Sequence, residues 1–495
     1  MDIKLDDRIE SVDGFRGWVR YVGEVAGRRE QKWYGIEWDE EERGKHDGVY
    51  DGYRYFQCRR EGSFGSFVKP KMISGRQTLG EAVMEKYSPK KESLADSLVV
   101  SKPVELDLLT LCSVSGMKVA AIRPGDESII PSVTDLDLSN NLLSSWGDLA
   151  TKLAAFEQLS SLTLSKNFLL IEQRPPVATI LPSLKTLIIS SASLESEDAD
   201  ALMQSCPRLE SCVLHGNRIS DVTKLAKSVP KSLRVLDLSD NEIDSWETVS
   251  TLKATNLENL NFSGNRLRSI STHLCEEGDW QSLSTLSLSR NPLETWESVE
   301  ALAFLPSLVS LRISGTGIGS SINDDFLRQG VIGRLEKLTI LNGSDITVDD
   351  RLEAEKAYLG EVLRSEKSRS NPGLSSDGRI GRLRKKYSMF SAESLPSSEV
   401  KAVSKIADQL IQVNMRLIDG PTVTKRLPGS TDLKRLRLVC QKIFRIKKIE
   451  SLAYLVGDLG DPASTRTYLT DASATLSSLS VAPEGVLVIE AEPAT

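Results

Sequence analysis

Apolar and polar residues alternate along this chain in a unit that returns every 24 to 27 residues. The stretches "VTDLDLSNNLL", "LSSLTLSKNFL", "LESCVLHGNRI", "LRVLDLSDNEI", "LENLNFSGNRL" and "LSTLSLSRNPL" share one form, L-x-x-L-x-L-x-x-N-x-L, and looser copies read "LKTLIISSASL", "LVSLRISGTGI" and "LEKLTILNGSDI". They begin at Val133, Leu159, Leu184, Leu209, Leu233, Leu257, Leu283, Leu308 and Leu335. Apolar residues two apart bury one face of a short strand, and the Asn that follows suits a turn, where its amide can bond backbone groups. One such unit cannot cover its own apolar face, so stacked copies predict a solenoid.

The period and motif are those of leucine-rich repeats, which makes the middle of the chain an α/β solenoid. Asn141, Asn167, Asn217, Asn241, Asn265 and Asn291 are then structural. Trp146, Trp246 and Trp296, each five residues past its Asn, read as packing inside the convex side. Two residues before the Asn position stand Ser139, Ser165, Ser190, Ser239, Ser263, Ser289 and Ser314, with His215 breaking the row. Such a row fits either a smooth, approachable concave surface or close strand packing.

The pattern changes on both sides. Residues 8 to 73 carry short β-rich runs, dense glycines and aromatics at Trp33, Tyr34, Trp38, Tyr53, Tyr55, Phe56, Phe64 and Phe67, which predicts a small β-barrel with an aromatic core. The polar stretch 76–104 reads as a mobile tether. After the last repeat, "DITVDDRLEAEKAYLGEVL" turns helical and charged, as a terminal cap must. Residues 363–408 mix Ser, Gly, Pro and basic residues as a largely aperiodic linker, and "RIGRLRKKY" within it reads as a solvated basic tether with an acidic surface as its alternative use.

The tail regains periodicity. "LIQVNMRLID" and "TVTKRLP" alternate as strands, "STDLKRLRLVCQKIF" puts Leu433, Leu436, Cys440, Ile443 and Phe444 on one helical stripe, and "LAYLV" and "GVLVIEA" supply further strands. Two strands, a helix and two strands resemble the ubiquitin-like β-grasp, here without a Gly-Gly end. The predicted architecture is multidomain: an all-β barrel over 1–75, a linker and N-terminal cap over 76–130, the solenoid with its C-terminal cap over 131–362, the basic linker over 363–408 and an α+β ubiquitin-like domain over 409–495.

Composition narrows the functions. Of 495 residues 26% are charged, with a net charge of −7, so no broad basic face offers itself to nucleic acid. No window reaches the ~20 apolar residues of a membrane span, and the acidic N-terminus does not suit a signal peptide. Six cysteines without C-x-x-C spacing and three histidines in separate contexts indicate no disulfide framework, metal site or catalytic set. The chain therefore reads as a cytoplasmic binding protein without enzymatic activity or cofactor.

The stretch "RGKHDGVYDG" is the densest chemistry in the barrel. It matches neither G-x-x-x-x-G-K-[ST] nor G-x-G-x-x-G, and no helix follows, which removes the phosphate-cradle reading. A lysine and loop amides beside aromatics suit an acidic peptide end. The succession "WYGIEW", "GKHDG", "YFQC" and "GSFVKP" resembles the CAP-Gly family over residues 8 to 73. That family recognises C-termini ending Glu-Glu-Tyr or Glu-Glu-Phe, notably the tail of α-tubulin.

Carried onto this chain, the resemblance places Lys45, His46 and Asp47 at the peptide, Gly44 and Gly48 at the loop bends, Trp33 and Phe67 in the groove, and Gly35 where backbone packs closely. His46 departs from the common Gly-Lys-Asn-Asp-Gly loop; an imidazole near its ordinary pKa of about 6.5 can donate one hydrogen bond, with a charge that varies with pH.

The order barrel, repeats, ubiquitin-like tail resembles the tubulin-folding cofactor E family. It implies a monomeric chaperone that captures α-tubulin, by its tail and through the repeats, and acts on the αβ-tubulin dimer with the cofactors B, C and D. The proteasome is a further candidate partner, and association with the cytoskeleton is expected. The competing reading is a CAP-Gly adaptor that links microtubules to cargo or to the ubiquitin–proteasome pathway, although the coiled-coil heptads of many adaptors are missing.

Overall fold

A computed structural model describes residues 2–27, 32–88, 105–171, 181–271, 280–318, 324–368 and 378–387, and in the tail 410–417, 422–428, 431, 433–444, 446, 449–456, 465–468 and 486–491. It divides into two compact units, Met1–Ser321 with Leu327–Glu355, and Ile322–Phe326 with Lys356–Thr495.

In the first unit, β1 (Arg8–Glu10), β2 (Arg16–Gly23), β3 (Trp33–Trp38) and β6 (Gly65–Val68) form an antiparallel sheet in the order β1-β2-β3-β6. A separate two-residue pair, β4 (Val49–Tyr50) and β5 (Tyr53–Arg54), turns through Asp51 and Gly52, both at positive φ, as a tight Asp-Gly hairpin requires. The barrel core is Ile9, Val19, Tyr34, Ile36, Trp38 and Val68. It is more aliphatic than the aromatic content predicts. Of the aromatics singled out in the sequence only Tyr34 and Trp38 belong to it, and Tyr55, Phe56 and Phe67 pack on one another instead.

The repeats form one sheet of eleven short strands, parallel from Leu111–Ser113 to Ile340–Leu341 and closed by the antiparallel Ser344–Asp345. Register aligns Leu136, Leu162, Leu187, Cys212, Leu236, Leu260, Leu286 and Leu311 as one buried column. The six asparagines form a second. Asn241 Nδ2 donates to Leu214 O of the preceding repeat (2.9 Å) and to Leu238 O of its own (3.0 Å), while its Oδ1 accepts from Ile219 N–H (3.0 Å). Asn141, Asn167, Asn217, Asn265 and Asn291 bond in the same manner, and all six are at most 6% exposed.

Trp146 and Trp246 lie in the solenoid core, each opening a helix behind a Ser N-cap. Trp296 is only half-buried and carries the Arg334 guanidinium 4.2 Å from its ring. In the serine row, lateral bonds join Ser165 to Ser190 N–H (3.1 Å) and Ser289 to Ser314 (3.2 Å), and His215 Nδ1 lies 2.9 Å from Ser239 Oγ. The hydroxyls thus tie neighbouring repeats together. The C-terminal cap helix, Val348–Ser368, begins by donating from Arg351 to Ile332 O (3.0 Å) and Leu335 O (2.7 Å) and buries Ala354 in the solenoid core.

The segment after the barrel corrects the reading of a tether. Gln77 and Thr78 pair in parallel with Val119 and Ala121, and the first helix, Leu79–Tyr87, carries a Thr78–Glu81 capping box and puts Leu79, Ala82 and Val83 into the solenoid core. Residues 76–88 are therefore structure that joins barrel to repeats. The remainder of the predicted tether, 89–104, lies outside the described residues.

The joint continues through side chains. Arg8, 1% exposed, pairs with Asp39 and lies between the rings of Trp18 (5.1 Å) and Phe168 of the solenoid (4.9 Å). Arg16 Nη1 donates to Asn140 Oδ1 (2.7 Å), and Lys118 Nζ meets Glu10 Oε1 at 3.0 Å. Burial pushes the Glu10 carboxyl up, but the hydrogen bonds from Lys118 and Arg16 outweigh it and hold the group below its ordinary range.

In the second unit, part of the predicted aperiodic linker is ordered. Gly378–Lys386 is a helix, and Ile380, Leu383 and Tyr387 pack on Tyr358, Leu359, Val362 and Leu363 of the cap helix. The tail is a five-stranded mixed sheet in the order Val423–Pro428, Leu410–Leu417, Val486–Ala491, Ile449–Val456, Thr465–Tyr468. Leu410–Leu417 runs parallel to Val486–Ala491, and the helix Leu433–Phe444 packs Leu433, Leu436 and Cys440 against Val413 and Met415. The strand Thr465–Tyr468 is an addition to the sequence reading; its four residues, TRTY, have no apolar alternation to announce it.

Candidate functional site

The loop 44–48 is held against β6 by the backbone. Lys45 N–H and His46 N–H donate to Gly65 O (2.7 and 3.0 Å), and Gly65 N–H returns a bond to His46 O (2.6 Å). Two glycines make this approach possible. A Cβ at Gly44 would fall 1.6 Å from Ser63 O; at Gly48, with φ +103°, it would fall 2.0 Å from Phe56 O.

Phe67 is the hub of the rings beside the loop. Among the described residues, the rings of Tyr55 (5.2 Å), His46 (5.3 Å), Phe56 (5.6 Å), Tyr21 (5.9 Å) and Tyr50 (5.9 Å) surround it, and the Tyr and Phe contacts are edge-on. Gly35 lets this cluster settle on β3, since a Cβ there would lie 2.4 Å from Phe56 Cε1 and 2.9 Å from Tyr21 Cβ. Trp33 stands two residues earlier on β3, 8% exposed, with Lys69 Nζ 5.3 Å from its ring.

The three polar loop residues differ in what they are doing. Lys45 is exposed. Asp47 is engaged: its Oδ2 pairs with Arg54 (2.8 Å) and its Oδ1 accepts from Val49 N–H (3.2 Å), and these bonds hold its carboxyl below the ordinary range. His46 Nδ1 accepts from Gly48 N–H (3.0 Å), so the neutral ring carries its proton on Nε2. The asparagine common in CAP-Gly loops has its amide oxygen at the same distance along the side chain, and His46 can bend the loop as that oxygen would. Burial pushes the imidazole pKa down; Asp47 pulls it up and Lys45 pushes it down, and the net shift is downward.

Sequence reasoning named Lys45, His46, Asp47, Gly44, Gly48, Trp33 and Phe67. The structure gathers the loop residues and Phe67 in one place and sets Trp33 on the adjoining strand. It adds Tyr21, Tyr50, Tyr55 and Phe56 to the wall. It also adds Glu37, 1% exposed, whose Oε1 accepts from Arg59 N–H (2.8 Å) and Arg60 N–H (3.2 Å) while Oε2 takes Arg20 Nε (2.8 Å). This buried carboxylate fixes the stretch between the ring cluster and β6. Its only signal in the sequence is an acid at an inward position of "WYGIEW".

Comparison with known proteins agrees with both motifs. Residues 5–73 match the model of the CAP-Gly domain, and residues 129–275 match one described as FBD-associated F-box protein At5g56370, LRR repeats. Tubulin-folding cofactor E of Arabidopsis thaliana is 29% identical over 530 aligned residues, covering 99% of this chain and 98% of that protein. Tubulin-specific chaperone E of Danio rerio is 29% identical, covering 91% of this chain and 92% of its own, and Protein PAC2 of Saccharomyces cerevisiae is 28% identical, covering 74% and 75%. With a CAP-Gly loop at one end, asparagine-laddered repeats in the middle and an alignment that runs through both, the chain resembles the proteins called tubulin-folding cofactor E and tubulin-specific chaperone E over nearly its whole length.

Proposed function

We propose that this chain is a tubulin-folding chaperone that works by binding. The barrel takes the tail of α-tubulin, the concave face of the repeats takes the folded body, and the complex serves assembly and dissociation of the αβ dimer together with the cofactors B, C and D. The five-stranded tail, read as ubiquitin-like, serves a protein partner, with the proteasome as one candidate. No described helix is long and apolar enough to cross a membrane.

The observation that carries the reading is the exposed Lys45 ammonium beside the ring cluster around Phe67, in a chain aligned end to end with proteins named for tubulin folding. A tail ending in acidic residues and one aromatic ring would place carboxylates at Lys45 and at the Nε2–H of His46, and its ring against the edge-on cluster. Gly44 and Gly48 keep side chains out of the approach, and Asp47, held by Arg54, shapes the loop without meeting the peptide's charge head-on.

The test is calorimetry of the full chain with a peptide ending Glu-Glu-Tyr. A charge-assisted hydrogen bond contributes roughly 1.5–3 kcal/mol, so Lys45→Ala should weaken binding at least about tenfold without moving the melting temperature. Unchanged affinity in Lys45→Ala, or no binding by the unaltered chain, overturns the reading.

A further inference from the structure

Strand alternation sends the residues on either side of the buried leucine column outward, onto the concave face. From Leu111–Ser113 to Ser310–Arg312 those outward positions hold three acids, Asp135, Asp137 and Asp237, and one base, Arg312 at the far end. Asp237 is well supplied with donors: it takes Ser239 N–H (2.8 Å), the Ser239 hydroxyl (2.5 Å) and Asn261 Nδ2 (2.9 Å). Asp135 takes only the Thr134 hydroxyl (2.7 Å), and Asp137 takes the Ser113 hydroxyl and Ser139 N–H (both 2.9 Å). Neither of these two has an ion-pair partner among the described residues. Two residues apart on one strand, they stand about 6.6 Å from one another on the same face, and like charges so placed repel.

Asp135 and Asp137 border a cavity of about 240 Å³ whose other sides come from Leu111, Tyr87 and the hydroxyl residues Ser161 and Thr163 of the next strand. Leu111 is 66% exposed there. Tyr87 is fixed in place, its hydroxyl accepting from Ser113 N–H (3.0 Å) and donating to Ser113 O (3.2 Å). Lys86 is engaged with the same carbonyl (2.5 Å) and does not line the cavity.

We infer that this cavity is a subsite for an arginine side chain presented by a folded protein partner, an inference that rests on the reading of the concave face as the surface for such a body. The volume falls below the roughly 300–1,000 Å³ of a small-molecule site, so it suits one side chain and not a whole ligand. A guanidinium carries five donors in a planar fork and can serve two carboxylates and the neighbouring hydroxyls together, where an ammonium is a single point of charge. The ring of Tyr87 adds attraction for a cation, and the aliphatic stem of the arginine covers Leu111. That cover accounts for a large exposed apolar residue beside two unpaired acids. The same acids repel a phosphate or an acidic segment, and among the described residues no group of three His, Cys, Asp or Glu could hold a metal ion.

The experiment uses the full chain and, as probe, Nα-acetyl-arginine N-methylamide, whose blocked ends leave only the side chain to bind. Saturation-transfer NMR should show transfer to its side-chain methylenes, less to those of the lysine analogue and none to the citrulline analogue, which has the same shape without the charge. Asp135→Asn with Asp137→Asn keeps the size of both side chains and should weaken the arginine probe about fivefold or more, as two half-exposed ion pairs would. Capture of the αβ-tubulin dimer should weaken in that double variant and also in Val213→Lys, which alters the middle of the concave face at the outward position that Asp137 and Asp237 hold in their own repeats. Weaker capture in Val213→Lys alone leaves the reading of the concave face standing and overturns the subsite. Undiminished capture in both variants overturns that reading and the subsite with it. No transfer to the arginine probe, equal transfer to the citrulline analogue, or unchanged probe affinity in the double variant overturns the subsite by itself.

Discussion

The barrel and the repeats both bury polar groups, and they stabilise them by different means. In the barrel the buried groups are charges: Glu37 and Arg8, each 1% exposed, are compensated by Arg20 with two backbone N–H groups, and by Asp39. In the repeats the recurring buried groups are neutral amides, six asparagines that bond backbone on two adjacent turns, and the buried charge of Arg334 is an exception that pairs with Glu300. A charge used once must be matched by specific partners from distant positions, whereas an amide donates and accepts at once and can be copied wherever the backbone repeats. The difference teaches why one region is irregular and the other periodic. It also predicts that the barrel, with Glu10, His46 and Asp47 all shifted, responds to pH where the asparagine ladder does not.

The sharpest way to break this comparison is to remove one member of each kind. Glu37→Ala leaves Arg20 Nε and two backbone donors without their acceptor while Arg20 keeps its pair with Asp6, and buried donors left unsatisfied at about 1–3 kcal/mol each are enough to unfold a small barrel. Loss of the barrel's own unfolding transition in calorimetry is the expected result. Asn241→Ala strips acceptor and donor from two repeats at about 1–3 kcal/mol for each group left unsatisfied, and hydrogen exchange should rise at Ile219 and its neighbours before it rises in distant repeats. Equal exchange throughout the solenoid would mean that the ladder is not local.

Smaller effects sharpen the contrast in pH. Because the folded His46 pKa is lowered, the neutral ring contributes stability that is present above its ordinary value of 6.5 and is lost as pH falls through the folded value. Glu10 is a lowered acid, so its contribution holds above 4.5 and is lost only as pH falls through its own folded value. His46→Asn should keep the bond to Gly48 N–H yet lack the first of these windows. Melting curves of the two proteins should therefore converge or cross as pH drops from 7.5 toward 5, and a constant gap would show that His46 does not titrate in the loop. Arg16→Ala should cost the joint about 0.5–1.5 kcal/mol through the lost bond to Asn140, read as a small separation of the barrel and solenoid transitions.

Much of this could be read from residue order, and the exceptions share a cause. The asparagine ladder, the loop glycines and the strand register repeat a local rule, and a local rule is visible in a linear string. The first helix was also visible, through its Thr78–Glu81 capping box, yet the polar residues around it gave a tether instead. The basic helix had Ile380, Leu383 and Tyr387 at helical spacing, diluted by cations. Glu37, the Arg8–Phe168 stacking and the pairing of Gln77 with Val119 depend on partners far along the chain, and no pattern in either segment names the other.

The pairing of Gln77 with Val119 also bears on how the protein is made. The ribosome releases the barrel first, with its own core of Ile9, Val19, Ile36 and Trp38 complete, while Leu79, Ala82 and Val83 on the helix behind it still have nothing to cover them. The strand that Gln77 and Thr78 pair with, through Val119 and Ala121, comes later in the chain, and at about 5–20 residues per second those positions are synthesised only seconds afterwards. For that interval the nascent chain carries a sticky helix attached to a finished domain. The order of synthesis thus closes the joint between barrel and repeats after the barrel itself is complete.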